Sequence, residues 1–263
     1  GMMVFAECVN LKSCILPENM RYLSDHLFSN CKRLEKITLP KSLIKIYPYA
    51  FFKCVSLKTI HISTGVTEIN DAAFKFCNTL ESISINHTNI DTICEDAFLG
   101  CVNLVDIQFP NTLKKIGKRA FNQCSKLKTV NFPENVEVIG EDVFHDCENL
   151  KYVFLKKTKI SVLPDNSFKG CKNLEFIVLP DVLTHINDNV FEDCFSLTHL
   201  TLPKEIVYIG SNVFKGCINL SSLKTEGREI PDYWLTYIKA VFEINNSRVT
   251  FCKIKGAYTI FYL

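Results

Sequence analysis

The sequence predicts an α/β repeat fold: a right-handed solenoid of about ten 23-residue coils, with a parallel concave β-sheet and a non-repeating C-terminal cap. Three features lead to this prediction: a periodic cysteine, a phenylalanine before it and a leucine after it. Ten cysteines recur at intervals of 23 or 24 residues, each with a phenylalanine three residues before it and a leucine three residues after it. These ladder cysteines are Cys8, Cys31, Cys54, Cys77, Cys101, Cys124, Cys147, Cys171, Cys194 and Cys217. Because the period is fixed, equivalent positions of successive coils are expected to form rows.

A short strand is expected in every unit. In Leu34–Leu39 the pattern Leu-x-x-Ile-x-Leu supplies alternate inward side chains, and stacking the units makes the strands parallel. In six units a proline follows, which is expected to end the strand at a corner of the coil. These prolines are Pro17, Pro40, Pro110, Pro133, Pro180 and Pro203. The two 24-residue units lack this proline and carry their extra residue at the same corner, in Asn86–Ile90 and Lys156–Ile160, so the core register is expected to continue unchanged.

The opposite, convex side of each coil is expected to be a tight helical turn. The spacing Phe-x-x-Cys-x-x-Leu favours such a turn because inward side chains three residues apart are nearly eclipsed in it. A small residue often precedes the phenylalanine, as at Ala50 and Ala73, and is expected to let adjacent coils approach closely.

The complete unit, Cys-x-x-Leu-x-x-Ile-x-Leu-Pro-x-x-Leu-x-x-Ile-x-x-x-Ala-Phe, resembles the leucine-rich repeats of the BspA-like (Treponema-type) surface proteins of oral and gut bacteria and some protozoan parasites. The resemblance extends from about Phe5 to Leu223. It implies a curved leucine-rich-repeat solenoid in an extracellular or cell-surface location, with an adhesion-type role towards host matrix proteins or other cells. It assigns no functional residue, because the motif consists of core positions.

The cysteine ladder is interpreted as part of the core. Cysteine behaves as a small, readily buried apolar residue, and disulfides between equivalent positions of stacked coils would require distortion. Zinc is disfavoured because no Cys-x-x-Cys pair occurs. Outside the ladder, Cys14 is also expected in the core, whereas Cys94 and Cys252 are candidates for exposure.

Composition and motifs argue against several function classes. The net charge of +2, from 30 basic and 28 acidic residues spread along the chain, gives no footprint for nucleic acid or an anionic membrane. No apolar run approaches the roughly 18 to 20 residues of a membrane span. The six histidines form no catalytic arrangement with other residues at motif spacing. We therefore predict no enzyme, no catalytic residue, no cofactor and no metal.

The repeat pattern divides the chain into a solenoid, residues 1–225, and a C-terminal capping segment, residues 226–263. The segment after the repeat combines a near-helical pattern in Ile230–Phe242, including the single tryptophan Trp234, with two short apolar runs, Val249–Ile254 and Tyr258–Leu263. Terminal coils expose an apolar cross-section that needs covering, so a cap is the first interpretation. A separate interaction element is the alternative.

The candidate binding site comes from the outward positions of the concave strands, five and seven residues after each ladder cysteine. Most are polar, but two successive coils place Tyr152, Phe154, Phe176 and Val178 there. We predict that these four residues form the contact for a protein partner. The expected flanking residues are Thr129, Asn131, His199 and Thr201. The open alternatives are that the C-terminal tail covers the cluster, or that these strands tolerate apolar residues through β-propensity alone.

The predicted function is accordingly non-catalytic protein binding by the concave face. Two alternatives are a passive spacer within a longer surface protein and an enzyme with loop-borne residues.

Overall fold

Nine successive coils each contribute one strand of three or four residues and one strand of two residues, and a tenth longer strand follows them in the described part of the chain. The computed structural model describes residues 3–225, 249–254 and 257–262. The longer strands are β1 (Ser13–Ile15), β3 (Lys36–Thr38), β5 (Thr59–His61), β7 (Ser82–Ser84), β9 (Asp106–Gln108), β11 (Thr129–Asn131), β13 (Tyr152–Phe154), β15 (Phe176–Val178), β17 (His199–Leu202) and β19 (Ser222–Thr225). The shorter strands are β2 (Tyr22–Leu23), β4 (Lys45–Ile46), β6 (Glu68–Ile69), β8 (Thr92–Ile93), β10 (Lys115–Ile116), β12 (Val138–Ile139), β14 (Val162–Leu163), β16 (His185–Ile186) and β18 (Tyr208–Ile209).

Strands of successive coils pair in parallel, as predicted. The longer strands form the sheets β1-β3, β5-β7-β9, β11-β13-β15 and β17-β19, and the shorter ones form β2-β4-β6-β8-β10-β12 and β14-β16-β18. Each pairing joins residues one period apart, so that Val130 lies opposite Val153 and Val153 opposite Ile177. We call the outward side of the longer strands the long-strand face; it is the face that the sequence predicts to be concave.

Between the two strand rows lies one continuous apolar core built from the repeated positions. The ladder phenylalanines from Phe28 to Phe214 are fully buried. From Phe5 onwards neighbouring rings of this row stack with centroids 5.1 to 6.0 Å apart and interplanar angles of at most 9°. A row of this kind buries a large apolar area only if every coil repeats it, which is why the period is so regular.

The ladder cysteines link the coils by hydrogen bonds. The thiol of Cys54 donates to the carbonyl oxygen of Phe28 in the preceding coil at 3.1 Å, and Cys147 donates to Phe121 at 3.1 Å. The same bond recurs from Cys31 to Cys217 with lengths of 3.0 to 3.4 Å. Cysteine therefore provides both a small apolar volume and a weak donor to a buried carbonyl group.

The helical component of the expected α/β class is not confirmed, because the described residues form no helix. The phenylalanine segments are successive turns, in which the amide of Cys31 bonds to the carbonyl of Phe28 while the amides of Phe28 and Asn30 bond to the next coil. The residues two before and two after each ladder phenylalanine have positive φ, for example His26 at 55° and Asn30 at 60°. A left-handed residue at both points interrupts a right-handed helix, so the segment becomes a chain of turns.

The number of coils and two cysteine positions also differ from expectation. The ladder from Phe5 to Phe214 encloses nine complete periods, so the solenoid has about nine turns. Cys8 is exposed and Cys14 is only partly buried, whereas the ladder cysteines from Cys31 to Cys217 are buried. Cys8 lies in the first coil, and no described coil packs on its N-terminal side.

Both 24-residue coils absorb their extra residue in the same way, at the predicted corner. The hydroxyl of Thr88 donates to the carbonyl of Ile85 at 2.6 Å, and that of Thr158 donates to Leu155 at 2.8 Å. Both threonines are buried. The hydroxyl thus closes the longer corner of these two coils, which lack the proline found at this corner in six other coils.

Beyond the repeat, β20 (Val249–Ile254) and β21 (Ala257–Tyr262) form an antiparallel pair. Strand β21 pairs antiparallel with β19 at Lys224 and Thr259, which gives the sheet order β17-β19-β21-β20. The predicted segment Ile230–Phe242, with Trp234, lies outside the described residues. The right-handed sense and the division into solenoid and cap stay predictions. Among the described residues there is no helix with the length and apolar character needed to cross a membrane.

Candidate binding face

The long-strand face displays the outward residues of each strand while the central residue is buried. In β13 the central residue Val153 is fully buried, and Tyr152 and Phe154 on either side of it are each 39% exposed. Polar residues fill the same positions in β5, β7 and β9. The strand geometry predicted from the sequence is therefore present, and it gathers the outward residues into two parallel rows.

The structure brings the four predicted residues together on adjacent strands. Tyr152 pairs in register with Phe176, and Phe154 with Val178. The rings of Phe154 and Phe176 are 6.2 Å apart and tilted by 57°. Phe176 is 47% exposed, and Val178 is half-buried. We call Tyr152, Phe154, Phe176 and Val178 the apolar patch.

Polar contacts hold one edge of the apolar patch in place. The Tyr152 hydroxyl donates to Oε2 of Glu175 at 3.1 Å, while Lys151 Nζ lies 3.0 Å from Oε1 of the same carboxylate. Hydrogen bonds from Lys151 and then Tyr152 lower the pKa of Glu175. The tyrosine thus keeps its ring on the surface while its hydroxyl is satisfied, an arrangement typical of aromatic residues at protein interfaces.

A shallow depression of about 210 Å³ adjoins the apolar patch towards the C-terminal side. Phe176 and Val178 line it together with the predicted flanking residues His199 and Thr201. Its rim carries the ion pair between Lys156 and Asp181, 2.9 Å apart. On the other side, Thr129 lies opposite Tyr152 and Asn131 opposite Phe154. All four flanking residues therefore border the patch.

The described part of the C-terminal segment lies at the end of the sheet and away from the apolar patch. Strand β17 contacts β15, and β21 pairs with β19, so β17 and β19 stand between β15 and the hairpin of β20 and β21. The hairpin therefore extends the sheet of β17 and β19, whereas the patch strands belong to the neighbouring sheet β11-β13-β15. The side chains of Tyr152, Phe154 and Phe176 remain exposed by 39 to 47%.

A second depression, of about 380 Å³, lies on the same face in the N-terminal half and was not predicted. Its walls and floor come from β5, β7 and β9 and from the first inserted corner. The polar residues that line it are Thr59, His61, Ser82, Ser84, Asn86, Asp106 and Gln108. We call this depression the polar trough. One sequence signal pointed to it: Ser82 and Ser84 are the only outward pair in which both residues are serine.

The buried thiols are unsuited to nucleophilic chemistry. Burial raises the pKa of the Cys217 thiol to about 12, and burial raises the pKa of the other buried ladder thiols as well. Cys94, off the ladder, is half-buried and donates to Oε1 of Glu68 at 3.3 Å, and burial raises its pKa to about 12. A thiol that stays protonated at neutral pH is a poor nucleophile and a poor metal ligand.

Comparison with known families points in one direction. The profile of the BspA type leucine-rich repeat region matches residues 1–110 and 91–221, in 6 copies. No curated protein sequence matches the chain.

Several solved structures have a similar fold. A leucine-rich repeat protein from Eubacterium ventriosum is 22% identical, with a TM-score of 0.59, and the match covers 84% of this chain and 66% of that protein. The pneumococcal vaccine antigen PcpA is 19% identical, with a TM-score of 0.50, over 81% of this chain and 61% of the antigen. A leucine-rich repeat protein from Bacteroides ovatus is 24% identical, with a TM-score of 0.44, over 84% and 80% of the two chains. The chain thus spans less than two thirds of PcpA.

Proposed function

The chain belongs to the BspA-type leucine-rich repeat family, and on that basis we propose that it is a non-catalytic, adhesion-type module that binds a protein partner through its long-strand face. The apolar patch of Tyr152, Phe154, Phe176 and Val178 is the proposed contact. Solenoids present long, regular surfaces of this kind to their partners.

One observation carries the proposal: three aromatic residues stand exposed, side by side, on a face that is otherwise mainly polar. Exposed apolar side chains that cluster and have a polar rim mark interaction sites. Tyrosine and phenylalanine lose little conformational entropy on binding and bury a large area, so a few of them dominate the affinity of an interface. The tilted pair of Phe154 and Phe176 leaves ring faces and edges for a partner's apolar side chain.

The rim supports the same interpretation. Thr129, Asn131, His199 and Thr201 surround the patch with hydrogen-bonding groups, and His199 Nδ1 already lies 2.8 Å from Thr198 Oγ1. An apolar centre with a polar rim is the usual anatomy of a transient protein interface. We infer a host matrix or cell-surface protein as the partner, and an extracellular or cell-surface location for the chain, from the family resemblance.

The test is a binding measurement on matched variants. The double variant Tyr152→Ser, Phe176→Ser removes the patch, and Lys36→Ser, Thr38→Ser alters two exposed outward residues on β3 as its control. Both proteins are tested against immobilised purified matrix proteins and cell-surface ectodomains. We expect the patch variant to bind at least about 2 kcal/mol more weakly, with the control unchanged.

Four results would count against the proposal. Equal binding by the patch variant would place the contact elsewhere on the molecule. Absence of any partner in the panel would favour the spacer, and turnover of a glycan, peptide or ester that a point mutation abolishes would favour an enzyme. A fall of several degrees in the thermal midpoint of the patch variant would show that the four residues are part of the core.

A further inference from the structure

We propose that the polar trough is a second binding site, which takes a short, neutral oligosaccharide. It lies on strands β5, β7 and β9, separated from the apolar patch by β11. Its volume of about 380 Å³ falls in the range of small-molecule sites, which extends from about 300 to 1,000 Å³.

The trough exists because side chains of different length stand in register. Ser82 lies between Thr59 and Asp106, and Ser84 lies between His61 and Gln108. The middle strand therefore presents two short side chains, and the outer strands present longer ones. The backbone over the buried Ile83 becomes a floor, with an imidazole on one side and a carboxylate and an amide on the other.

One wall of the trough is braced by a second histidine. The ring of His61 stacks on that of His87, with centroids 4.5 Å apart and an interplanar angle of 7°. His87 is in turn fixed by a contact of 2.8 Å between its Nε2 and the carbonyl oxygen of Ile62. Because a carbonyl oxygen only accepts, this Nε2 carries a hydrogen. A wall that is held in advance loses little entropy when a ligand binds.

Several polar groups in the trough are available to a ligand. Within residues 3–225, the side chains of Thr59, Ser82 and Asp106 have no hydrogen-bond or ion-pair partner. The contact of Asn86 Nδ2 with Gln108 Oε1 is long, at 3.4 Å, and so is that of Ser84 Oγ with His87 Nδ1. A ligand with hydroxyl groups would satisfy these groups at little loss of existing bonds.

The site continues along the strands. A further depression of about 770 Å³ at the strand starts shares Thr59 with the trough. Its charged residues balance, since Glu35 and Glu81 stand with Lys36 and Lys58. The combined surface is elongated and nearly neutral, so it fits an extended neutral ligand better than an anion or a cation.

The chemistry of the lining distinguishes a saccharide from a peptide. Each sugar hydroxyl both donates and accepts, and the lining pairs hydroxyl groups with amide, imidazole and carboxylate groups that meet both needs. Peptide recognition relies on apolar or aromatic anchors, which this site lacks among its outward residues and which the apolar patch supplies. The two sites therefore divide the face by chemistry.

The experiment measures binding of four neutral tetrasaccharides by ligand-detected NMR and calorimetry. They are cellotetraose, N-acetylated chitotetraose, maltotetraose and the tetrasaccharide of two N-acetyllactosamine units. The variant Ser84→Phe fills the trough, and Asn131→Phe adds the same side chain to the equivalent outward position of β11 as its control. Asp106→Ala serves as a second trough variant, because it removes an exposed carboxylate without filling any space. Circular dichroism checks the fold of each protein.

We expect at least one tetrasaccharide to bind the wild type, and Ser84→Phe and Asp106→Ala to weaken this binding by about tenfold or more. Asn131→Phe and the patch variant Tyr152→Ser, Phe176→Ser should leave it unchanged. The proposal is overturned if no tetrasaccharide binds at about 10 mM, a concentration that would detect millimolar affinity. The proposal is also overturned if the control Asn131→Phe weakens tetrasaccharide binding equally. It is likewise overturned if the trough variants lose binding of a protein partner and keep binding of the tetrasaccharide. Failure here leaves the proposed protein contact intact, because that contact is tested by other variants.

Discussion

The two 24-residue coils of the solenoid have the same internal structure, but one has a polar outward surface and the other an apolar one. Both carry an extra residue at the corner after the longer strand, and both close that corner with a buried threonine, Thr88 or Thr158. Outward of the same backbone, the first coil presents Ser82 and Ser84, and the second presents Tyr152 and Phe154. One surface is a polar trough and the other an apolar patch.

The difference shows that inward and outward positions have separate roles. Inward positions must repeat, because each phenylalanine ring stacks on its counterpart in the next coil and each thiol bonds to a phenylalanine carbonyl of the preceding coil. Most outward positions are exposed to solvent, so they can change from coil to coil at small cost to stability. A solenoid can therefore carry unlike sites at intervals along one face.

The largest expected effect falls on the feature that both coils share, the buried thiols. Burial raises the pKa of these thiols, that of Cys217 to about 12, so their stabilisation is complete below the unfolded pKa of about 8.5 and is lost as pH rises towards the folded value. Each thiol then contributes a slope of about 1.4 kcal/mol per pH unit. The buried ladder cysteines act in the same direction, so the protein should become progressively less stable as pH rises above about 8.5.

Urea midpoints under reducing conditions at pH 7, 8, 9 and 10 measure this loss. The double variant Cys77→Ala, Cys147→Ala removes one thiol from each of the two 24-residue coils. Its urea midpoint should fall less steeply as pH rises. A midpoint that stays constant to pH 10 would contradict the assigned burial.

The next effect tests whether the buried rings of the two 24-residue coils contribute equally to stability. Phe74→Ala and Phe144→Ala should each lower the free energy of unfolding by about 3 to 5 kcal/mol, because each removes a fully buried ring from the stacked row. Phe144 should be the more costly by about 0.5 to 1.5 kcal/mol, since its ring also meets the edge of Phe132 at 5.9 Å. Chemical denaturation of both variants measures the difference, and a larger loss at Phe74 would break the comparison.

A smaller effect is expected at the inserted corners. Thr88→Ala and Thr158→Ala each delete one hydroxyl that donates to a carbonyl three residues earlier. The backbone amides of both threonines also donate to these carbonyls, so the loss should be about 0.5 to 1.5 kcal/mol. Thermal unfolding of the two variants should give similar shifts. Serine at either position retains the hydroxyl and should recover most of the loss.

The smallest effect on stability is expected where the coils differ most. Exchanging the outward pairs, with Ser82→Tyr, Ser84→Phe in one coil and Tyr152→Ser, Phe154→Ser in the other, should change stability by less than about 1 kcal/mol. Binding of the protein partner should change much more than stability, because the exchange removes the aromatic contact on β13. Unfolding and partner-binding measurements on the same protein compare the two responses. A large loss of stability would show that outward residues contribute to the core.

The sequence by itself determined the period, the parallel pairing, the inward rows and the position of both inserted corners. It could do so because stacked coils bring the same position of each unit together, so a periodic pattern is already a contact list. The grouping of Tyr152, Phe154, Phe176 and Val178 follows from the same rule, and their register pairs confirm it.

Only the tertiary structure decided the features that depend on backbone conformation and on side-chain length. The turns in place of a helix arise from paired left-handed residues such as His26 and Asn30, whose positions the phenylalanine spacing does not reveal. The thiol bonds from each coil to the one before and the pairing of β21 with β19 depend on how backbone groups of distant residues meet. The polar trough needed short serines between longer neighbours one coil away, and this difference in height appears only when the coils are stacked.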